Sequence, residues 1–291
     1  MVTKSDEAPL VVIVGQTASG KTALALSLAQ HFDGEIIATD SRTVYRGMDI
    51  GTAKPTFAEQ QRVPHHLLDV VSPDEQFTAA DYQRLARTAI DDIAQRRKLP
   101  ILVGGTGMYV DAVLYDFSFR APADMQRRAH LSARSVTELK TLIVRQGLQT
   151  PQNRHNPLHL IRVLETGGEQ YTRKGLRANT LLLGLELDKD LLRKRIVKRV
   201  GAMFANGLVD EVQGLVAAYG AEAPGLQTPG YKEVAAYLRG ENTLEQAKEQ
   251  CVRSHMHYAK RQKTWFKRNA DIHWISKVEE SVDLATTFLS N

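Results

Sequence analysis

Eight residues near the N-terminus, Gly15, Gln16, Thr17, Ala18, Ser19, Gly20, Lys21 and Thr22, fit the pattern G-x-x-x-x-G-K-[ST]. That spacing builds a loop whose backbone amides wrap a chain of phosphates. The glycines let the backbone approach closely, and the N-terminus of the following helix adds partial positive charge. Lys21 adds a full charge, and the Thr22 hydroxyl suits Mg²⁺. A kinase, an NTPase and a transferase that expels diphosphate can all use such a cradle.

Three further residues have types and positions that suit chemistry. Asp40 closes "GEIIATD", at the carboxyl edge where open α/β sheets keep their sites. It reads as a magnesium-anchoring carboxylate, a general base or the cap of a turn. Thr106 lies in "GGTG" at the end of another apolar run, where the glycines also suit a plain strand-to-helix turn. That run, "ILVGG", lacks the acidic residue an NTPase normally carries there, although Asp40 can substitute for it. Arg199, in "KRIVKRVGAMF", reads on its own as a solvated helical charge. The pairs His65–His66 and His255–His257 lack the spacing of a metal site.

These residues need a frame. Leu10 to Val14 is a short apolar run of the kind that forms a buried parallel strand, followed by the loop and a helix from "KTALALSLAQHF". Further strands are expected at "GEIIATD", around Leu67 to Val71, at "LPILVGG", at "NTLLLGLEL" and at "DIHWI". Thr78 with Asp81 predicts a capped helix running toward Arg97, and Asp188 predicts another with Leu192, Ile196 and Val200 on its buried face. Strands alternating with helices predict an α/β fold: a phosphate-loop parallel sheet flanked by helices.

After Tyr115 the pattern changes to helical stretches without strand runs, from Ala121 to about Gly175 and broken by "TPQNRHNP" and "ETGGEQ". The expected division is a core of 1–115 and 180–291 with a helical insertion domain of 116–179. Between Asp116 and Thr180 there are eleven Lys and Arg against five Asp and Glu, and the whole chain carries only +5. All the excess charge therefore sits in the insertion, as a polyanion-binding module requires and as a wet basic surface also permits. On the C-terminal helix "CVRSHMHYAKRQKTWFKR", Arg253, Lys260, Lys263 and Lys267 fall on one side. Tyr258, Ala259, Trp265 and Phe266 fall opposite, as core packing would have it. A lone cysteine, Cys251, excludes an internal disulfide and agrees with a cytoplasmic address. The N-terminus has no apolar signal core, and no apolar run approaches the length of a bilayer span.

Taken together, these segments resemble the tRNA dimethylallyltransferase, or tRNA isopentenyltransferase, family of bacterial type. The resemblance covers nearly the whole chain. It rests on "GQTASGKT", "EIIATDSRTVYRGMDIGTAKP", "PHHLLDVVSPDEQFTAADY", "LPILVGGTGMYV", "RVGAMFANGLVDEV", "PGYKE" and "YAKRQKTWFKR". It implies that Gly15 to Thr22 hold the diphosphate of dimethylallyl diphosphate, with Mg²⁺ at Thr22. It also implies that Asp40 takes a proton from the exocyclic amine of the adenosine at tRNA position 37. Thr106 would stand at the adenine–diphosphate junction, and Arg199 on the leaving diphosphate. Asp40, Ser41, Arg42, Thr43, Thr106 and Arg162 would contact tRNA, and the basic insertion would grip the anticodon stem-loop. A monomer without protein partners is expected.

Some positions depart from the family pattern. Gln16 stands where proline is usual, and Leu158–His159 where a Gln-Arg pair is common. Thr228–Pro229 replaces more usual aliphatic residues, and no C-terminal zinc finger follows, as in bacterial-type members. Two other readings remain. A transferase acting on free adenine nucleotides would not need the basic insertion, and a small-molecule kinase would not carry "DSRTVYRGMDIGTAKP". A non-catalytic RNA-binding protein would have no use for both the phosphate loop and Asp40.

Overall fold

The computed structural model describes residues 7–119, 124–168, 174–276 and 278–290. The first six residues, the start of the helical segment at Ala121, and the end of the "ETGGEQ" break lie outside the described residues. The chain divides into two compact units, residues 1–114 with 176–291, and residues 115–175.

In the larger unit the strands are β1 (Leu10–Gly15), β2 (Gly34–Thr39), β3 (His65–His66), β4 (Leu99–Gly104), β5 (Thr180–Leu185) and β6 (His273–Ile275). They form one sheet in the order β3-β2-β4-β1-β5-β6, and every pairing is parallel. The helices of the chain are α1 (Lys21–His31), α2 (Phe57–Arg62), α3 (Ala79–Gln95), α4 (Gly107–Leu114), α5 (Met125–Ser132), α6 (Val136–Arg145), α7 (Pro157–Thr166), α8 (Lys189–Ala205), α9 (Leu208–Tyr219), α10 (Tyr231–Leu238), α11 (Leu244–Phe266) and α12 (Val278–Ser290).

The continuous apolar run of β1 reflects burial on both faces of the sheet. Val11, Ile13, Ile36, Ile101 and Leu183 pack against α1 and α12. Alternation puts Val12, Ile37 and Leu102 on the other face, where α3 and α11 contact the sheet. The expected cap of α3 is present as a reciprocal box between Thr78 and Asp81. Asp188 caps α8, whose Leu192, Ile196 and Val200 are buried.

The strand expected around Leu67 to Val71 is not there. β3 ends at His66, because Leu67 and Asp69 take φ values of 63° and 55°, which turn the chain out of the extended line. Val70 and Val71 instead donate to the carbonyl of Val44, holding the segment after Asp40 in place. Val44 and Met48 from that segment are fully buried against α9 and α10. Glu211 of α9 accepts the amides of Asp49, Ile50 and Gly51, and its other partner is the Tyr231 hydroxyl.

The smaller unit contains α5, α6 and α7 around Leu131, Leu139, Ile143, Leu160, Ile161 and Leu164. Each helix has a side-chain N-cap, from Asp124, Ser135 and Asn156, and Pro157 opens the first turn of α7.

Candidate active site

The loop between β1 and α1 is shaped by its glycines. Gly15 has a φ of 148°, and a Cβ there would stand 2.4 Å from the carbonyl oxygen of Leu185. Gly20 caps α1 at a φ of 105° and offers no side chain. The first amides of α1 have no acceptor one turn back, so they are turned toward whatever occupies the loop. Not every loop amide is available. Thr17 N donates to Gln262 Oε1 at 2.7 Å, and Ser19 N donates to the Gln16 carbonyl at 3.2 Å. Ala18 sits in the left-handed region, and the Ser19 hydroxyl is buried with no hydrogen-bond partner among the described residues.

Three cations face this loop. Lys21 Nζ donates to the Gln16 carbonyl at 2.6 Å, and Arg199 Nη1 donates to Thr17 Oγ1 at 3.3 Å. Arg195 Nη1 reaches the Ser19 carbonyl at 3.3 Å. Burial pulls the Lys21 ammonium down to about 8; nearby Asp40 pulls it back up, and Arg199 adds to the depression. Burial lowers Arg199 too, with Asp40 again opposing. Two desolvated cations beside one carboxylate leave positive charge that an anion would satisfy.

Asp40 follows the last residue of β2, and its Oδ1 accepts the amide of Arg42 at 2.9 Å. The carboxylate thus does cap a turn, and it also lines a cavity of about 310 Å³ with Lys21, Thr22, Arg199 and Gln262. Thr106, after β4, accepts the amide of Ser41 through Oγ1 at 3.0 Å and lies 3.3 Å from the Ser41 hydroxyl. Arg42 is buried, with its guanidinium carbon 3.8 Å from the centroid of the Tyr258 ring. Thr43 is buried as well, and its hydroxyl has no partner among the described residues.

Among the described residues no three His, Cys, Asp or Glu side chains gather into a metal site. Thr22 lines the same cavity as Asp40, and its hydroxyl is the kind of hard oxygen donor that Mg²⁺ takes. The histidines have other partners or none. His66 Nε2 lies 2.7 Å from Glu35, and His65 Nδ1 lies 2.8 Å from the Val63 carbonyl. His255 is enclosed, and burial, with Arg42 and Arg199 adding to it, pushes its pKa down to about 3.

The family model described as IPP transferase matches residues 43–269. The chain belongs to the IPP transferase family. It is 42% identical to tRNA dimethylallyltransferase 2 of Geotalea uraniireducens, over 96% of each chain. It is 39% identical to the tRNA dimethylallyltransferase of Bacillus subtilis, over 91% of this chain and 90% of that one. The crystal structure of the tRNA isopentenylpyrophosphate transferase from Bacillus halodurans matches with a TM-score of 0.75 and 38% identity, covering 98% of this chain and 96% of that one. A eukaryotic dimethylallyltransferase, solved acting on tRNA, matches with a TM-score of 0.81 and 25% identity, over 98% of this chain and 80% of that one.

In this member of the family the larger unit brings together Gly15 to Thr22, Asp40, Ser41, Arg42, Thr43, Thr106 and Arg199. Arg162 belongs to the smaller unit, on α7, where it is half-exposed and 3.6 Å from the buried carboxylate of Glu165. Arg128 of α5 approaches the same carboxylate at 3.5 Å. Leu158 and His159 are exposed on α7.

Sequence reading missed Gln262, which also donates to the Gly105 carbonyl at 3.0 Å and so ties the phosphate loop to the end of β4. It missed Arg195, and it read Gln16 only as a loop position, not for its side chain, whose Nε2 donates to the Ala259 carbonyl at 3.2 Å. The helical wheel of α11 was half right. Ala259 and Phe266 are core, but Tyr258 carries Arg42, and Trp265 Nε1 donates to Asp111. On the basic side, Lys263 and Lys267 both pair with Glu186. No described helix is long and apolar enough to cross a membrane.

Proposed function

We propose that this member of a tRNA prenyltransferase family transfers a dimethylallyl group from dimethylallyl diphosphate to N6 of the adenosine at tRNA position 37. The observation that carries this reading is the meeting of Lys21 and Arg199 with Asp40 around one cavity. The cations and the α1 N-terminus suit a diphosphate, and the carboxylate suits the proton of an incoming amine.

In the reaction, the allylic C1–O bond breaks and its electron pair goes to the leaving diphosphate. Fixed charges at Lys21 and Arg199, with the free amides of α1, stabilise the negative charge that builds there. The N6 lone pair forms the new N–C bond, and Asp40 accepts the proton that nitrogen loses. Thr106 and Ser41 keep the carboxylate's strand end in register with the loop. Thr22 would hold Mg²⁺, which would supply further neutralisation of the diphosphate. The target base must leave its stack to reach such a cavity, and the basic smaller unit suits the phosphates of the anticodon stem-loop.

The test is incubation with dimethylallyl diphosphate and unmodified tRNA, followed by digestion and mapping of the alkylated nucleoside. The reading expects N6-dimethylallyladenosine at position 37 and no product from AMP. Equal use of AMP would assign the chain to free nucleotides instead.

A further inference from the structure

On α11, Gln262 lines the cavity, and Tyr258, one turn before it, packs against Arg42. Gln262 spends both ends of its amide, on Thr17 and Gly105. Tyr258 does not spend its hydroxyl in a well-formed hydrogen bond among the described residues: the oxygen is enclosed beside Thr106 and Gln262, whose own bonds go to Ser41, Thr17 and Gly105. An enclosed hydroxyl without a partner costs stability, and such groups in native folds call for an explanation.

The surroundings of Tyr258 supply one. Its ring is fixed by the Arg42 guanidinium, 3.8 Å from the centroid, with Arg261 at 5.6 Å. Its hydroxyl lies beside Thr106 and Gln262 and within the field of Asp40. Burial first, and then Asp40, raise the phenol's pKa, so it remains protonated and is a hydrogen-bond donor. A fixed donor beside Thr106, within the field of the carboxylate that receives the amine's proton, is placed to meet the ring that bears the amine.

We infer that Tyr258 reads the acceptor base, its hydroxyl donating to a ring nitrogen that flanks the exocyclic amine held at Asp40. This rests on the transfer reaction proposed above. In adenine, N1 and N7 both flank that amine and both are bare acceptors. In guanine and hypoxanthine, N1 carries a hydrogen and C6 an oxygen, so a donor aimed at N1 opposes them. A site built to donate a hydrogen bond discriminates strongly against a partner that cannot accept it.

The experiment compares wild type with Tyr258→Phe, which keeps the ring and its contact with Arg42. Substrates are anticodon stem-loops carrying adenosine, 1-deazaadenosine or 7-deazaadenosine at the target position. With adenosine, kcat/KM should fall about tenfold in Tyr258→Phe, while affinity for dimethylallyl diphosphate and the melting temperature stay close to wild type. One deaza substitution should cost the wild type a similar factor and cost Tyr258→Phe almost nothing, and which one does so names the nitrogen. Wild-type activity in Tyr258→Phe on adenosine would overturn the inference. So would deaza penalties that are the same in both enzymes. Failure of the wild type to prenylate any stem-loop would instead overturn the proposed reaction.

Discussion

The amide of Ser41 donates to Thr106 Oγ1 at 3.0 Å, joining the residues that follow two neighbouring parallel strands, β2 and β4. One hydroxyl thereby holds the turn that carries Asp40. Replacing Thr106 with Val keeps the shape and leaves the half-buried Ser41 amide without that acceptor. The expected cost is about 1–2 kcal/mol of stability, read as a lowered melting temperature. Turnover should fall about tenfold while tRNA affinity holds, and Thr106→Ser should restore both. Unchanged turnover in Thr106→Val would show that the clip is dispensable.

Lys21 gives the site a pH dependence with a definite sign. Its pKa is lowered to about 8 by burial, so it is charged below that value and neutral above it. The kcat/KM for dimethylallyl diphosphate is therefore expected to decline as pH rises through about 8. A bound diphosphate pushes the ammonium back up, so kcat should decline at higher pH than kcat/KM. His255, held near 3, stays neutral throughout this window. A pH–rate series in Lys21→Arg should lose the decline.

Glu35 makes a stability prediction. Arg96, then His66, stabilise its buried carboxylate and hold it at about 2, against the ordinary 4.5. A depressed carboxylate contributes stability above its unfolded value and loses it as pH falls through the folded one. The contribution is on the order of 2 kcal/mol, after allowing for solvent around the half-exposed Arg96. Glu35→Gln should lower the melting temperature at pH 7, and the gap to wild type should close in acid between about 4.5 and 2. A gap independent of pH would assign the loss to packing.

The smaller unit presents Arg162 and Arg128 on either side of the buried Glu165 carboxylate. If these cations displace counterions from tRNA phosphates, log affinity must fall with log salt, by roughly 0.7 per phosphate in loop RNA. Arg162→Ala combined with Arg154→Ala, the latter an exposed cation in the turn before α7, should weaken tRNA binding and make that slope shallower, with dimethylallyl diphosphate affinity unchanged. Filter binding across a salt series is the measurement. An unchanged slope would transfer the clamp to the cations of α11 left unpaired by Glu186.

What the sequence made legible follows from local physics. β1, β2, β4 and β5 are short apolar runs ending at or just before glycine or polar residues, and their length and composition identify them. The run after His66 is equally apolar but turns at Leu67 and Asp69, and nothing in side-chain type announces those backbone angles. Gly15 to Thr22, Asp40 and Thr106 were legible because charge, hydroxyl and glycine at strand ends are chemically specific. Gln262 and Tyr258 were not. Their contacts with Thr17 and Arg42 join residues more than two hundred positions apart, and neutral side chains on an amphipathic helix carry no spacing signal.

The central claim is that Asp40 receives the amine's proton in the cavity where Lys21 and Arg199 hold the diphosphate. Single-turnover transfer by Asp40→Asn tests it most directly, since the amide keeps the shape and the Arg42 contact but is a poor proton acceptor. With both substrates saturating, the rate should fall by about 10²–10⁴ while tRNA affinity stays within a few-fold. A single-turnover rate close to wild type would contradict the account and leave Asp40 as the cap of a turn.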